Sequence, residues 1–218
     1  MDLGISGKNA LVTGGSRGLG RQAALSLAGE GVNVAICGRT QSTLDKAVGE
    51  LQALGVKAVG IEADVSDVDG MDALHQQAVS DLGEIDILVN NAGGTRSRDD
   101  ITGTSLEDFK ATFDLNLFGG FQLMKAAIPH MQERGWGRII NIASIWGRES
   151  GGNVSYMSAK AALIGATKHT AQALAKDGIL VNSIAPGSIA HDQGSWERFQ
   201  NDNTPEFVAA FIEQNLPM

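Results

Sequence analysis

Ala10-Leu11-Val12-Thr13-Gly14-Gly15-Ser16-Arg17-Gly18-Leu19-Gly20 carries a short apolar run into a glycine-rich turn and then directly into a helical pattern. A turn in that context presents backbone N–H groups at a helix N-terminus. About half a positive charge resides there, so a pyrophosphate can sit against it. Gly14 permits the tight turn, Gly18 the close approach of phosphate, and Gly20 close contact between helix and strand. The spacing is G-x-x-x-G-x-G, a variant of the more familiar G-x-G-x-x-G arrangement.

Outward from this turn the same alternation repeats. Apolar runs at 10–13, 32–37, 56–61, 85–89, 138–142 and 179–184 are expected as strands buried on both faces. Helical spacing fills 19–28, 41–54, 68–82, 106–131 and 155–176. Ser105 is a candidate N-cap with Asp108 three residues on, and Ser66 and Asp67 play the same part for the third helix. Strands alternating with helices predict an α/β fold: a doubly wound, Rossmann-type parallel sheet with helices on both faces, in a single domain spanning 1–218.

Composition agrees. Hydrophobic residues make up 43% and charged residues 19%, a globular balance, and 28 glycines call for many tight turns. The formal net charge of −8 repels polyanions, which argues against a nucleic-acid partner. No apolar stretch approaches the roughly 18 residues that span a bilayer, and Met1-Asp2-Leu3-Gly4 lacks the order of a signal peptide. No membrane role and a cytoplasmic location are therefore expected. The single cysteine, Cys37, excludes an internal disulfide and reads as a small buried hydrophobe. Four scattered histidines without partners at ligand spacing give no metal site.

The second strand should end beside an adenosine ribose, where a carboxylate binds a free 2′-hydroxyl and an arginine accommodates a 2′-phosphate. Here that end reads Cys37-Gly38-Arg39-Thr40, with no carboxylate and with Arg39 about 20 residues past Gly20. Arg39 and Arg17 then form a cationic clamp, and NADP(H) is expected in preference to NAD(H). In Tyr156-Met157-Ser158-Ala159-Lys160 the tyrosine, the only one in the chain, and the lysine share a helix face at i and i+4. An adjacent ammonium lowers a phenol's pKa from about 10, which would let Tyr156 exchange a proton with a carbonyl or alcohol oxygen.

The turn Thr13-Gly14-x-x-x-Gly18-x-Gly20, Asn90-Asn91-Ala92-Gly93, Ser144 and Tyr156-x-x-x-Lys160 occur in one order on successive strand ends. Together they resemble the short-chain dehydrogenase/reductase family, most of all its 3-oxoacyl-[acyl-carrier-protein] reductase type. The resemblance implies that Tyr156 is the general acid in reduction and the base in oxidation. It implies that Lys160 tunes the phenol and binds the nicotinamide ribose, that Ser144 holds the substrate oxygen, and that Asn116 bends its helix and holds a water for proton relay. By the same resemblance Ser16, Arg17 and Leu19 of the glycine turn contact the cofactor, as do Asn91, Ala92 and Gly93. Asn90 braces the sheet. Asp64 and Val65 resemble the adenine contacts, although Asp64 also reads as an N-cap. Pro186, Gly187 and Ile189 match the nicotinamide side, while Ala190-His191 stand where the family usually carries a threonine.

Substrate choice is expected in the loops 94–97 and 145–149 and in a lid at 188–204 that embeds Trp196 and Phe199. Small residues of 159–166, with Phe109, Phe113 and Phe121, resemble the family's helical dimer face, which implies a homo-oligomer. The family pattern would run on through another helix and strand, so the last strand is expected to be missing and the chain reads as a shortened form. The function implied is hydride transfer between NADP(H) and a carbonyl or hydroxyl compound, such as a 3-oxoacyl or other ketone. Two alternatives are a catalytically silent dinucleotide-binding sensor or truncated subunit, and a sugar or alcohol dehydrogenase working in the oxidative direction.

Overall fold

A computed structural model describes residues 2–96, 99–191 and 194–215. It separates into two compact units, Met1–Pro186 and Gly187–Met218. The first unit contains β1 (Asn9–Thr13), α1 (Gly18–Gly29), β2 (Asn33–Gly38), α2 (Gln41–Gln52), β3 (Ala58–Glu62) and α3 (Met71–Leu82). It continues through β4 (Ile87–Asn90), α4 (Leu106–Phe113), α5 (Gly119–Arg134), β5 (Gly137–Ile142), α6 (Val154–Leu174) and β6 (Ile179–Ile184). All strand pairings are parallel, in the order β3-β2-β1-β4-β5-β6.

Strand alternation divides the core. Ala10 and Val12 of β1 pack with Val34 and Ile36 of β2 against Ala24, Ala28, Leu44 and Leu51 on one face. Leu11, Ala35 and Leu88 point the other way, into Leu74, Leu82, Leu123, Met131 and Leu174. The order reverses between β1 and β4, so the carboxyl ends of these strands open a crevice at the switch point.

Two expectations need correction. β6 is not buried on both faces: it lies at the sheet edge, and Leu180 and Ile184 are 50% and 54% exposed. The helical stretch 106–131 is one continuous path, but Asp114–Phe118 is a π-helical turn between α4 and α5. Its cause is local: the buried amide of Asn116 donates to the Thr112 carbonyl at 2.7 Å and competes with the regular backbone ladder. Ser105 does cap α4, accepting from the Asp108 N–H at 3.0 Å. Asp67 caps the 3-10 turn Val68–Gly70 that leads into α3.

A polar thread crosses the apolar middle of the sheet. The Asn90 amide donates to Asn141 Oδ1 at 2.9 Å, and the Asn141 amide donates to Thr167 Oγ1 at 2.9 Å. Asn90 and Asn141 are register partners on β4 and β5. Asn90 thus braces the sheet.

The second unit holds α7 (Ser195–Asn201) and α8 (Pro205–Asn215), where a long loop was expected at 188–204. Within it Trp196 stacks on Phe199 at 5.3 Å, and Phe199 meets Phe211 at 4.7 Å. The Phe207 N–H donates to Thr204 Oγ1 at 3.3 Å, and Pro205 opens the helix, where a missing N–H costs nothing.

Candidate active site

The glycine turn is shaped by close approach. Gly14 and Gly18 adopt φ of 62° and 55°, left-handed conformations that other residues adopt only under strain. A Cβ on Gly20 would land on the Gly14 carbonyl and the Asn91 amide, so helix α1 can start this close to β1 only with glycine there. Asn91 fixes the turn from the neighbouring strand: its amide donates to the carbonyls of Thr13 at 2.8 Å and Gly14 at 3.2 Å. Thr13 Oγ1 in turn accepts the N–H groups of Asn91 and Ala92 at 2.9 and 3.0 Å. Arg17, the residue before α1, supplies no side-chain cap, and the first turn carries no acid. The opening N–H groups of an α-helix have no intrahelical acceptors. An uncapped helix start beneath a glycine cradle fits a dinucleotide pyrophosphate, with Ser16 and Leu19 flanking Gly18.

Beyond the end of β3, Asp64 accepts the N–H and hydroxyl of Ser66 at 2.9 and 2.7 Å. Arg39 and Arg96 approach its carboxylate at 3.9 and 4.0 Å. Burial pushes the Asp64 carboxyl up, but the Ser66 bonds and then the two guanidinium groups hold it below its ordinary value. Asp64 therefore forms a turn with Ser66 while Asp67 does the capping. Val65, buried beside it, has its carbonyl pressed against Gly119.

The end of β5 and the start of α6 bring the reactive groups together. Ser144, buried after β5, accepts the Trp146 N–H at 3.2 Å. The Tyr156 phenol lies near enough for the Ser144 hydroxyl to favour its ionised form, against the larger effect of burial. Asn153 caps α6 by accepting the Tyr156 N–H at 2.8 Å. Lys160 is only 2% exposed; its Nζ lies 5.6 Å from the centre of the Tyr156 ring and donates to the Ile142 carbonyl at 2.7 Å. A Cβ on Gly93 would stand 2.8 Å from Asn116 Oδ1 and 3.1 Å from Lys160 Nζ, so Gly93 leaves the space over both. Asn116 is held by Gly94, whose carbonyl accepts at 2.6 Å and whose N–H donates at 3.1 Å.

Electrostatics modifies the expected tuning. Burial raises the Tyr156 phenol above its ordinary value, and the Ser144 hydroxyl only partly opposes this. Burial lowers the Lys160 ammonium to about 8, so it still carries its proton at neutral pH. The phenol is thus held protonated, as a proton donor, more firmly than an argument from the adjacent lysine alone suggests.

Gly14, Ser16, Arg17, Gly18, Leu19, Gly20, Arg39, Asp64, Val65, Asn91, Ala92, Gly93, Asn116, Ser144, Tyr156 and Lys160 all lie in the first unit. Pro186 does too, and its carbonyl accepts the Ile145 N–H at 2.9 Å. Gly187 and Ile189 belong to the second unit. Ser97, of the expected loop 94–97, is outside the described residues, as are 192 and 193 within 188–204. Sequence reasoning missed Arg96 as a partner of Asp64 and Asn153 as the cap of α6. The Asn153 spacing was readable: an Asn directly before a helix and three residues from Tyr156. The Arg96 contact spans two loops and has no local signal. Among the described residues no cluster of His, Cys, Asp or Glu could hold a metal, and no helix is long and apolar enough to cross a membrane.

Sheet, turn and switch-point crevice define a dinucleotide-binding α/β class. Within that class, the family described as short chain dehydrogenase matches residues 8–201. The chain belongs to this family of nicotinamide-dinucleotide oxidoreductases acting on hydroxyl and carbonyl groups. It is 41% identical over 187 residues to a 3-oxoacyl-[acyl-carrier-protein] reductase of Staphylococcus aureus, covering 85% of this chain and 76% of that protein. It is 42% identical over 190 residues to "Nodulation protein G" of Azospirillum brasilense, covering 86% and 77%. A putative short-chain alcohol dehydrogenase from Sinorhizobium meliloti superposes with a TM-score of 0.86 at 32% identity, covering 95% and 81%. An NAD+-bound xylitol dehydrogenase gives 0.82 at 34% identity, covering 89% and 75%.

Proposed function

We propose that this oxidoreductase uses NADP(H) to reduce a ketone, with 3-oxoacyl compounds as the leading substrate class. The observation that carries the reading is the Ser144–Tyr156 pair, a hydroxyl beside a half-buried phenol held in its protonated form, with the Lys160 ammonium behind it. Likeness to the 3-oxoacyl-[acyl-carrier-protein] reductases supports the substrate class, and Arg39 without a carboxylate at the β2 end supports NADP(H).

The nicotinamide, when bound, supplies hydride to the carbonyl carbon. Ser144 hydrogen-bonds the substrate oxygen and stabilises the charge that develops on it. Tyr156 gives its phenolic proton to that oxygen, and the Lys160 ammonium stabilises the phenolate left behind. Asn116, fixed through Gly94 and Thr112, holds the water that returns a proton by way of Lys160. Gly14, Ser16, Arg17, Gly18, Leu19 and Gly20 seat the pyrophosphate. Asn91, Ala92 and Gly93 lie along the cofactor, Asp64 and Val65 take its adenine, and Pro186 stands on the nicotinamide side. The exposed rings of Phe118 and Phe121, 44% and 49% exposed, supply an apolar surface for a homo-oligomer.

Tyr156→Phe is expected to cut turnover of 3-oxoacyl substrates by about 10²–10⁴ while NADPH still binds in a fluorescence titration. Turnover retained in that variant removes Tyr156 from the mechanism. Binding without NADPH oxidation by the wild type across a panel of oxo compounds makes the chain a dinucleotide sensor instead.

A further inference from the structure

Two guanidinium groups from distant parts of the chain meet one carboxylate at the adenosine end of the crevice. Arg39 follows β2, Asp64 follows β3, and Arg96 comes from the loop after β4. Neither arginine hydrogen-bonds the carboxylate: the separations, 3.9 and 4.0 Å, are ion pairs beyond hydrogen-bonding range. A guanidinium carries five N–H donors. Arg96 spends one, donating to Ser66 Oγ at 2.8 Å, while among the described residues Arg39 has only its approach to Asp64. Asp64 is meanwhile served by Ser66, whose N–H and hydroxyl both donate to Oδ1. Two cations thus share one carboxylate whose Oδ1 is already taken by Ser66.

We propose that Arg96 is a second specificity-determining residue for the cofactor, acting with Arg39 to hold the adenosine 2′-phosphate. This rests on the NADP(H) reading above. A phosphate dianion offers more charge and more acceptor oxygens than the Asp64 carboxylate, so both guanidinium groups gain by turning to it. Ser66 keeps the Arg96 head near this position, and the Arg96 N–H donates to Thr112 Oγ1 at 3.3 Å, tying the backbone to α4. Arg96 is therefore placed before the ligand arrives and little ordering is required on binding. A hydroxyl in place of the phosphate gives the pair nothing to neutralise, so the same residue discriminates against NAD(H).

Calorimetric titration of the full chain with adenosine 2′,5′-bisphosphate and with 5′-AMP tests this without turnover. Wild type is expected to bind the bisphosphate more tightly. Arg96→Met, which keeps the apolar stem and removes the charge, is expected to weaken the bisphosphate about tenfold or more and leave 5′-AMP unchanged. Arg39→Met is expected to behave alike, and the double variant to bind the two ligands equally. Equal binding of both ligands by wild type overturns the NADP(H) reading. A wild type and Arg39→Met that behave as expected, beside an Arg96→Met that keeps the bisphosphate preference, overturn the role of Arg96 alone. Equal loss of both ligands in Arg96→Met makes the residue merely structural and also overturns it.

Discussion

Lys160→Met separates what the buried ammonium costs the fold from what it does for catalysis. The ammonium is 2% exposed, and burial takes its pKa from 10.5 to about 8. At 1.36 kcal/mol per pH unit, that difference corresponds to about 3 kcal/mol of destabilisation while the charge is carried in both folded and unfolded chains. The folded-state value is depressed, so the unfolded chain binds more protons between about 8 and 10.5. The cost is therefore fully present below about 8 and is lifted as pH rises to 10.5. Methionine fills a similar volume without charge but leaves the Ile142 carbonyl, which accepts from Nζ at 2.7 Å, without this donor. Leaving such a group unsatisfied costs about 1–3 kcal/mol. The variant is expected to be as stable as wild type or up to about 2 kcal/mol more stable at pH 7, and inactive. By pH 10.5 the comparison should move against it by about 3 kcal/mol. Urea unfolding of both proteins at the two pH values measures this. A stability difference unchanged between pH 7 and pH 10.5 refutes the assignment of the burial cost to this ammonium.

Gly20→Ala places a methyl on the Gly14 carbonyl and the Asn91 amide; a loss of about 1–3 kcal/mol or more in urea unfolding is expected, with weakened dinucleotide binding in a fluorescence titration. The Cys37 thiol is fully buried, and burial pushes its pKa to about 11. Native protein at pH 8 should resist a thiol reagent and react only as urea unfolds it; rapid modification of the folded chain contradicts this placement.

Strand positions were readable because central parallel strands are continuous apolar runs, and Ala10 to Thr13 is buried throughout. The same rule failed at β6, since a run such as Ile179–Ile184 carries no mark of whether a neighbour lies beyond it. The reactive groups were legible as motifs: Tyr156 and Lys160 share a helix turn, and Ser144 stands at a strand end. The break at Asn116 was legible only through the family resemblance, which marks that asparagine as bending its helix; apolar periodicity does not record a side chain competing for a backbone carbonyl. Helix α8 was missed although Thr204-Pro205-Glu206 carries a start signal; the polar stretch before it hid the change of pattern. The phenol's direction of tuning was misjudged for another reason: burial is a property of the assembled fold and has no local sequence signature.

The thread from Asn90 through Asn141 to Thr167 also acts as a vernier on the reaction centre. A slide of β4 against β5 by one residue would part the buried Asn90 and Asn141 amides, so misaligned sheets are disfavoured where apolar contacts alone would tolerate them. Asn91 follows directly on Asn90, and Ser144 closes the strand that carries Asn141. The scaffold's zero mark and its chemical groups are consequently set by the same bonds.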